Sequence, residues 1–298
     1  MNFMTEPIKR SSDIEDASKK YIIAPLITWV VPYLVTLRLS PNAVSILGML
    51  SGVAAAYLLF FHSVSPLYTV AGFLMLLVWH VMDGADGRVA RLTGKQSELG
   101  KIIDGICDYI VFTSLYVALA LVLVQSYGYS IWYLVVASGF CHAIQAGAYE
   151  MQRQEYEFWG VGKKSAELPS LTGAEEKIAK LRGFAKLAAK VDIAYTRMQY
   201  KVTGLEQGIR PSFYRYLEEN PDKTDEFRSN YREQCSPQVL KWAIMSPHYR
   251  SMLIVFSCLI GRPELYFVTE VVILSFAQII LVKTQRNFNR ELVKKLVL

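Results

Sequence analysis

The sequence has little charge for its length and few cysteines. Charged residues make up 19% of its 298 residues, against about 25% in an average soluble domain. Hydrophobic residues make up 52%, which excludes an intrinsically disordered chain. The four cysteines form no C-x-x-C pair, which excludes a small disulfide scaffold. This composition is typical of a membrane protein with a modest soluble part.

The first twenty residues, MNFMTEPIKRSSDIEDASKK, lack the layout of a cleaved signal peptide, and we expect no such signal. The net charge of +6 is expected to orient the chain and to contact anionic membrane lipids. A nucleic-acid partner is not predicted.

Six apolar segments approach the roughly 20 residues that a membrane-spanning helix needs. They cover residues 42–62, 66–82, 102–124, 131–149, 249–261 and 265–282. A seventh segment, from Tyr21 to Leu37, contains Pro25 and Pro32 and suits an interfacial helix better than a span. We therefore predict an all-α integral membrane fold with six transmembrane helices, an N-terminal interfacial helix and a helical insert between helices four and five.

The predicted organisation has four parts. They are the cytoplasmic N-terminus with the interfacial helix (1–40), transmembrane helices one to four (41–150), the cytoplasmic helical insert (151–246), and helices five and six with a basic C-terminus (247–298). The links HSVSP and QSYGYS carry no charge, so the positive-inside rule predicts cytoplasmic termini and insert. In the insert, apolar residues from Ile178 to Val202 recur at helical spacing, which predicts an amphipathic helix on the membrane or against the transmembrane body.

The most informative stretch is VMDGADGRVARLTGKQSELGKIIDGICDYI. Asp83 and Asp86 are three residues apart at the end of the second segment, and Asp104 and Asp108 are four apart at the start of the third. These steps place each pair on one helix face, and the short turn between them predicts that the pairs converge. Four clustered carboxylates repel unless a cation lies between them. The pattern therefore favours the binding of a hard divalent cation such as Mg²⁺, which often shares its coordination shell with phosphate groups.

The stretch resembles the CDP-alcohol phosphotransferase signature, D-x2-D-G-x2-A-R-x8-G-x3-D-x3-D. Every fixed position matches: Asp83, Asp86, Gly87, Ala90, Arg91, Gly100, Asp104 and Asp108. The preceding LSPNAVSILG, with Asn42, is also similar to a segment of that family. The resemblance covers about residues 20–150 well, residues 247–286 only by topology, and the insert not at all.

The resemblance implies roles for these residues. Asp83, Asp86, Asp104 and Asp108 would ligate Mg²⁺ or Mn²⁺, as two ions, and Asp108 would be the catalytic general base. Asn42, Asp83, Gly87, Ala90 and Arg91 would line the nucleotide site. The implied reaction passes a phosphatidyl group from CDP-diacylglycerol to a small polar alcohol and releases CMP at the cytoplasmic side of the membrane. The partners would be the donor lipid, the alcohol, membrane lipids and a second copy in a homodimer.

Several other residues carry weaker expectations. Tyr149, Arg153 and Glu155 partly match Y-x-R-A-R-A-E, a pattern of relatives that use phosphorylated acceptors, although Met151 departs from it. Arg153 and Arg250 are candidate acceptor contacts. His80, His142 and His248 are expected to be buried and hydrogen-bonded. Gly48 and Gly52 form a G-x-x-x-G motif, which permits close helix approach within one subunit or between two.

Three alternatives remain open at this point. A soluble CDP-alcohol with a lipid acceptor such as diacylglycerol or ceramide would use the same carboxylates. An ion-coupled transporter also carries membrane acids, but these should lie near the bilayer midplane. A catalytically dead scaffold would tolerate loss of an aspartate, whereas all four are present.

Overall fold

The structure, a computed structural model, describes residues 12–171, 178 and 181–296. Every regular element in this part of the chain is helical and none is a strand, which confirms the all-α prediction. Residues 1–11 of the predicted cytoplasmic N-terminus lie outside the described residues. The helices are α1 (Ala24–Thr36), α2 (Pro41–Phe60), α3 (Pro66–Thr93), α4 (Glu98–Tyr127), α5 (Ile131–Tyr156), α6 (Gly183–Thr203), α7 (Arg210–Glu219), α8 (Thr224–Trp242), α9 (Pro247–Leu259), α10 (Glu264–Val268) and α11 (Ser275–Leu296).

A serine followed by proline begins three of these helices. The hydroxyls of Ser40, Ser65 and Ser246 accept hydrogen bonds from backbone N–H groups in the first turns of α2, α3 and α9. The proline at the first helical position lacks an N–H that would otherwise be unsatisfied, and its fixed φ suits a helix. The local sequence therefore determines where these helices begin.

Four helical stretches of the described residues are long and apolar enough to cross a membrane. They are Pro41–Phe60, Pro66–Thr93, Leu99–Val161, which contains α4 and α5, and Glu264–Leu296, which contains α10, a π-helical segment and α11. The segment predicted over 249–261 corresponds to α9, which has only 13 residues. The count of six spans and the interfacial role of α1 stay predictions.

The chain divides into two compact units, and the first comprises Met1–Phe140 and Ser246–Val272. In this unit α2 packs against both α3 and α4, and α9 packs against α3. The core contains Leu59, Trp79, Leu115, Ile254 and Phe267, all almost inaccessible to solvent. These contacts hold the C-terminal half of α3 and the N-terminal half of α4 against the same helix, α2.

The G-x-x-x-G motif of α2 is used within the chain. A Cβ atom added to Gly48 would lie 2.9 Å from Cβ of Met82 in α3, and one added to Gly52 would lie 2.5 Å from both Cγ atoms of Val111 in α4. The two glycines therefore let two different helices approach α2 closely, as predicted for contacts within one subunit.

Helix α1 lies along α3 in the same unit. Its buried face carries Ile27, Val31 and Leu34, while Trp29 and Tyr33 are exposed on the other side. Gly84 makes the contact possible, because a Cβ atom there would lie 2.3 Å from Cδ1 of Ile27.

The second unit comprises Cys141–Met245 and Ile273–Leu298. A buried ion pair joins its α5 and α7: Arg210 donates from Nη2 to Glu155 Oε2 (2.7 Å) and from Nε to Glu155 Oε1 (3.2 Å). Trp159 Nε1 donates to the same carboxylate at 3.0 Å. Burial alone would lower the pKa of Arg210, but the charge of Glu155 raises it, so the guanidinium stays ionised.

Candidate active site

The first pair of acidic residues lies near the end of α3. Asp83 and Asp86 are three residues apart and share a helix face, with Asp86 buried and Asp83 half-buried. Gly94, in the left-handed region at φ +65°, ends the helix and turns the chain toward α4. The pair is therefore held on a regular helix, about two to three turns before its end at Thr93.

The second pair lies at the start of α4. Ser97 Oγ accepts a hydrogen bond from the Gly100 N–H at 3.0 Å, which fixes the first turn of the helix. Asp104 and Asp108 follow on one face, and both are half-buried.

The two pairs meet at Asp86 and Asp104, whose carboxyl groups lie close enough to interact. Asp83 and Asp108 lie close enough to Asp104 to act on it electrostatically. Two ionised carboxylates repel, so the Asp86–Asp104 contact requires a proton or a cation between the oxygens. The structure thus brings the four predicted aspartates into one cluster, which we call the carboxylate cluster.

Helix α2 contributes a residue that the sequence analysis missed. Ser45 is buried, and its hydroxyl donates a hydrogen bond to Asp86 Oδ2. It lies one turn after Asn42, so both face the same side of α2. The three-residue spacing from Asn42 was the one indication in the sequence that Ser45 belongs to the site. Serine is common in apolar helices, however, and no local pattern indicates that its partner is an aspartate 41 residues later.

The other predicted nucleotide-side residues lie on α2 and α3. Asn42 is next to the start of α4, since a Cβ atom on Gly100 would lie 3.4 Å from its Oδ1. Arg91 folds back over Gly87, where a Cβ atom would lie 3.3 Å from Nη1 of the guanidinium. A larger residue at position 87 would displace that group. Ala90, half-buried, precedes Arg91.

The two arginines predicted to contact the acceptor have partners of their own. Arg250, in the first unit, is buried and ion-paired with buried Glu270. Arg153, in the second unit, lies 3.1 Å from Glu150 and over the ring of Tyr149. Acceptor binding by either arginine stays a prediction.

Buried polar residues also line the first unit on the α9 side of α3. His80 Nε2 lies 2.9 Å from Ser251 Oγ, and His248 Nδ1 lies 2.9 Å from Asp16 Oδ2. The prediction of buried, hydrogen-bonded histidines is confirmed for His80 and His248, while His142 is half-buried. Asp16 was missed by the sequence analysis, because its partner lies 232 residues away.

The carboxylate cluster fits a divalent metal in its donor chemistry. Carboxylate oxygens are the hard ligands that Mg²⁺ and Mn²⁺ take, and the Asp86–Asp104 contact is a place where a cation would replace a proton. As the side chains lie, no three described His, Cys, Asp or Glu residues are grouped to hold one ion. Coordination by three or more of these aspartates stays a prediction.

These features define a class of protein: an all-helical integral membrane protein with acidic residues pooled at the ends of two apolar helices. Comparison with known families then identifies the domain. Residues 38–166 match the model of the CDP-alcohol phosphatidyltransferase family, which is the family that the signature predicted. No curated protein and no solved structure matches the chain significantly.

Proposed function

We propose that the protein transfers a phosphatidyl group from CDP-diacylglycerol to a small polar alcohol, with release of CMP, in phospholipid synthesis. The family domain supports a transferase of phosphatidyl or phospho-alcohol groups. The observation that carries the proposal is the meeting of both aspartate pairs at Asp86 and Asp104. A diphosphate donor is attracted there by the cations that such a cluster requires.

Each residue of the site has a role in the proposed reaction. Asp108 accepts the proton of the acceptor hydroxyl, whose oxygen forms a bond to the β-phosphorus of the donor. The bond from that phosphorus to the bridging oxygen breaks, and CMP leaves with the oxygen. Arg91 holds a phosphate through a two-pronged hydrogen bond. Asn42, Gly87 and Ala90 line the nucleotide side.

The divalent metal, Mg²⁺ or Mn²⁺ as two ions held by Asp83, Asp86, Asp104 and Asp108, would neutralise the charge of the diphosphate. Ser45 keeps Asp86 in one orientation through its hydrogen bond. The fixed orientation of Asp86 favours one position of the donor relative to Asp108.

The test incubates purified protein with CDP-diacylglycerol, Mg²⁺ and a panel of small alcohols, and measures CMP release. Asp83, Asp86, Asp104 and Asp108 are each changed to asparagine, with exposed Asp222→Asn as the matched control. We expect each cluster variant to lose about 10²- to 10⁴-fold in rate and the control to keep it. Removal of metal with a chelator should abolish release, and added Mg²⁺ should restore it.

Three outcomes would each contradict the proposal or a part of it. CMP release from a soluble CDP-alcohol with diacylglycerol or ceramide, and none from CDP-diacylglycerol, would establish the alternative substrate class. No release from any donor, together with cation flux in proteoliposomes that depends on the four aspartates, would favour a transporter. Near-normal turnover of Asp108→Asn would refute its role as general base.

A further inference from the structure

The second unit contains a helix whose apolar side is uncovered. In α6, Leu187, Val191 and Tyr195 recur every four residues and are 58%, 62% and 53% exposed. Large apolar side chains in one exposed row on a helix indicate an interaction surface. We call this row the α6 stripe.

Helix α6 packs on its own unit through its polar side. Thr196, Gln199, Tyr200 and Thr203 are buried. At 100° per residue, Thr196, Tyr200 and Thr203 lie about 120–180° from the middle of the α6 stripe. Gln199, four residues after Tyr195, continues the row and donates a hydrogen bond to the Tyr195 hydroxyl at 2.7 Å. The unit therefore buries the polar face of α6 and turns the apolar face outward, which is the reverse of a helix that packs into a soluble core.

Basic side chains border the α6 stripe on one flank. Lys186, Lys190 and Lys201 lie between 40° and 100° to one side of Leu187 by helical geometry, and Lys190 and Lys201 are exposed. An apolar row beside a row of lysines is the pattern of a helix that lies in a membrane interface and contacts anionic headgroups. The charge of this flank complements an anionic lipid surface.

The contacts between α6 and α11 also indicate that lipid is the partner of the α6 stripe. The carbonyl of Val202 accepts a hydrogen bond from Gln278 (3.1 Å), and that of Gly204 accepts one from Asn289 (2.9 Å). Along this part of α11, the exposed apolar side chains of Phe276, Ile279 and Ile280 give way to the exposed basic side chains of Lys283 and Arg286. Such a change from apolar to basic residues marks the membrane boundary. The C-terminal end of α6 is thus held beside the point where the side chains of α11 change from apolar to basic.

From these contacts we propose that α6 is a membrane-interface helix, and that the α6 stripe binds the anionic lipid surface from which the protein emerges. The occupant is lipid because α6 ends beside the apolar-to-basic change of α11 and because the lysine flank carries complementary charge. This inference is independent of the proposed catalytic function.

The test measures where the α6 stripe lies. A nitroxide label is attached to Val191→Cys, and separately to Asp192→Cys, an exposed neighbour that points about 100° away. The unsubstituted chain, whose four cysteines are buried or half-buried, is the labelling blank. Both proteins are placed in nanodiscs of phosphatidylcholine with phosphatidylglycerol. Collision rates with oxygen, which enters lipid, and with a water-soluble nickel complex are compared.

We expect the label at position 191 to collide mainly with oxygen and the label at position 192 mainly with the nickel complex. Preference of both labels for the nickel complex would overturn the proposal, because the α6 stripe would then lie in water. Shielding of position 191 from both agents would overturn it too, and would indicate a second copy of the chain as the partner.

A second measurement tests the charged flank. Lys186→Glu with Lys190→Glu should weaken membrane contact in anionic nanodiscs, by about five-fold in partitioning per lysine, and should raise collisions of the 191 label with the nickel complex. Exposed Lys223→Glu, off this helix, is the control and should leave them unchanged. An unchanged result for the double variant would refute the electrostatic part of the proposal.

Discussion

At the scale of single residues, Asp86 connects three helices at the carboxylate cluster. It is buried, accepts a hydrogen bond from Ser45 of α2, and contacts Asp104 of α4 from its own position in α3. A buried carboxylate requires such partners, since its desolvation is costly. Loss of any one partner is expected to change its position or its charge.

The first prediction concerns Ser45→Ala. Hydrogen bonds to charged groups contribute about 1.5–3 kcal/mol, so we expect CMP release to fall by roughly 10-fold or more with the fold retained. The measurement is steady-state turnover beside thermal unfolding in detergent. Ser51→Ala is the matched control, because that hydroxyl in the same helix bonds only to Met75. Equal activity in the two variants would show that Ser45 does not orient Asp86.

The second prediction concerns Asp16 and pH. Burial alone would raise the pKa of the Asp16 carboxyl, but its hydrogen bond to His248 and the charge of that ring hold it well below its ordinary value of 3.8. Its stabilising effect is therefore present above about pH 4 and is lost as the pH falls below that value. Asp16→Asn should lower the unfolding temperature at pH 7, and the difference from the unsubstituted protein should shrink near pH 3.

The control for this prediction is Asp222→Asn, at an exposed position. It should leave the unfolding temperature unchanged at both pH values. A difference for Asp16→Asn that stays constant from pH 7 to pH 3 would contradict a stabilising role for the ionised Asp16 carboxylate.

The roles of several residues were not predictable from local sequence. Glu155 matches a pattern of acceptor-using relatives, yet in the structure it pairs with Arg210, 55 residues away. Ser45 and Asp16 likewise have partners on distant segments. Local spacing predicts which side chains share a helix face, but packing decides which faces meet.

At the scale of helices, the sequence predicted which segments are helical better than it predicted where each helix ends. The apolar run of the second segment ends at Met82, where the first aspartate follows, but α3 continues to Thr93. An apolar segment of the sequence ends at the first charged residue, whereas a helix ends where its backbone is capped, here at Gly94. Likewise α5 extends past Tyr149 to Tyr156. Both extensions carry predicted site residues, Asp86 and Arg153 among them.

The third prediction concerns the spacing of α2 and α4. Gly52→Ala places a methyl group 2.5 Å from the Cγ atoms of Val111, whose branched side chain has little rotamer freedom. We expect destabilisation by about 1–3 kcal/mol and reduced CMP release, because Ser45 and Asp104 lie on these two helices. Thermal unfolding and turnover are the measurements.

Gly139→Ala in α5 is the matched control for this variant, since a Cβ atom there meets nothing within 4 Å. Alanine favours a helix over glycine by about 1 kcal/mol, so this variant should be neutral or more stable. Equal stability of the two variants would show that α2 and α4 are not in tight contact at Gly52.

At the scale of the whole molecule, the fourth prediction concerns topology. The positive-inside rule places the turn between α3 and α4 in the cytoplasm and the link between α2 and α3 on the other side. Exposed Gln96 and Ser63 mark these two places. In intact cells, a membrane-impermeant maleimide should label Ser63→Cys but not Gln96→Cys, and permeabilisation should expose the latter. The reverse pattern would place the carboxylate cluster outside the cell.

The two helices that carry the aspartate pairs, α3 and α4, both pack against α2. This packing bears on whether the chain can be divided into two fragments. The linker at residues 94–97 is exposed and joins two helices that α2 already holds. Co-expressed fragments 1–95 and 96–298 are therefore expected to complement each other.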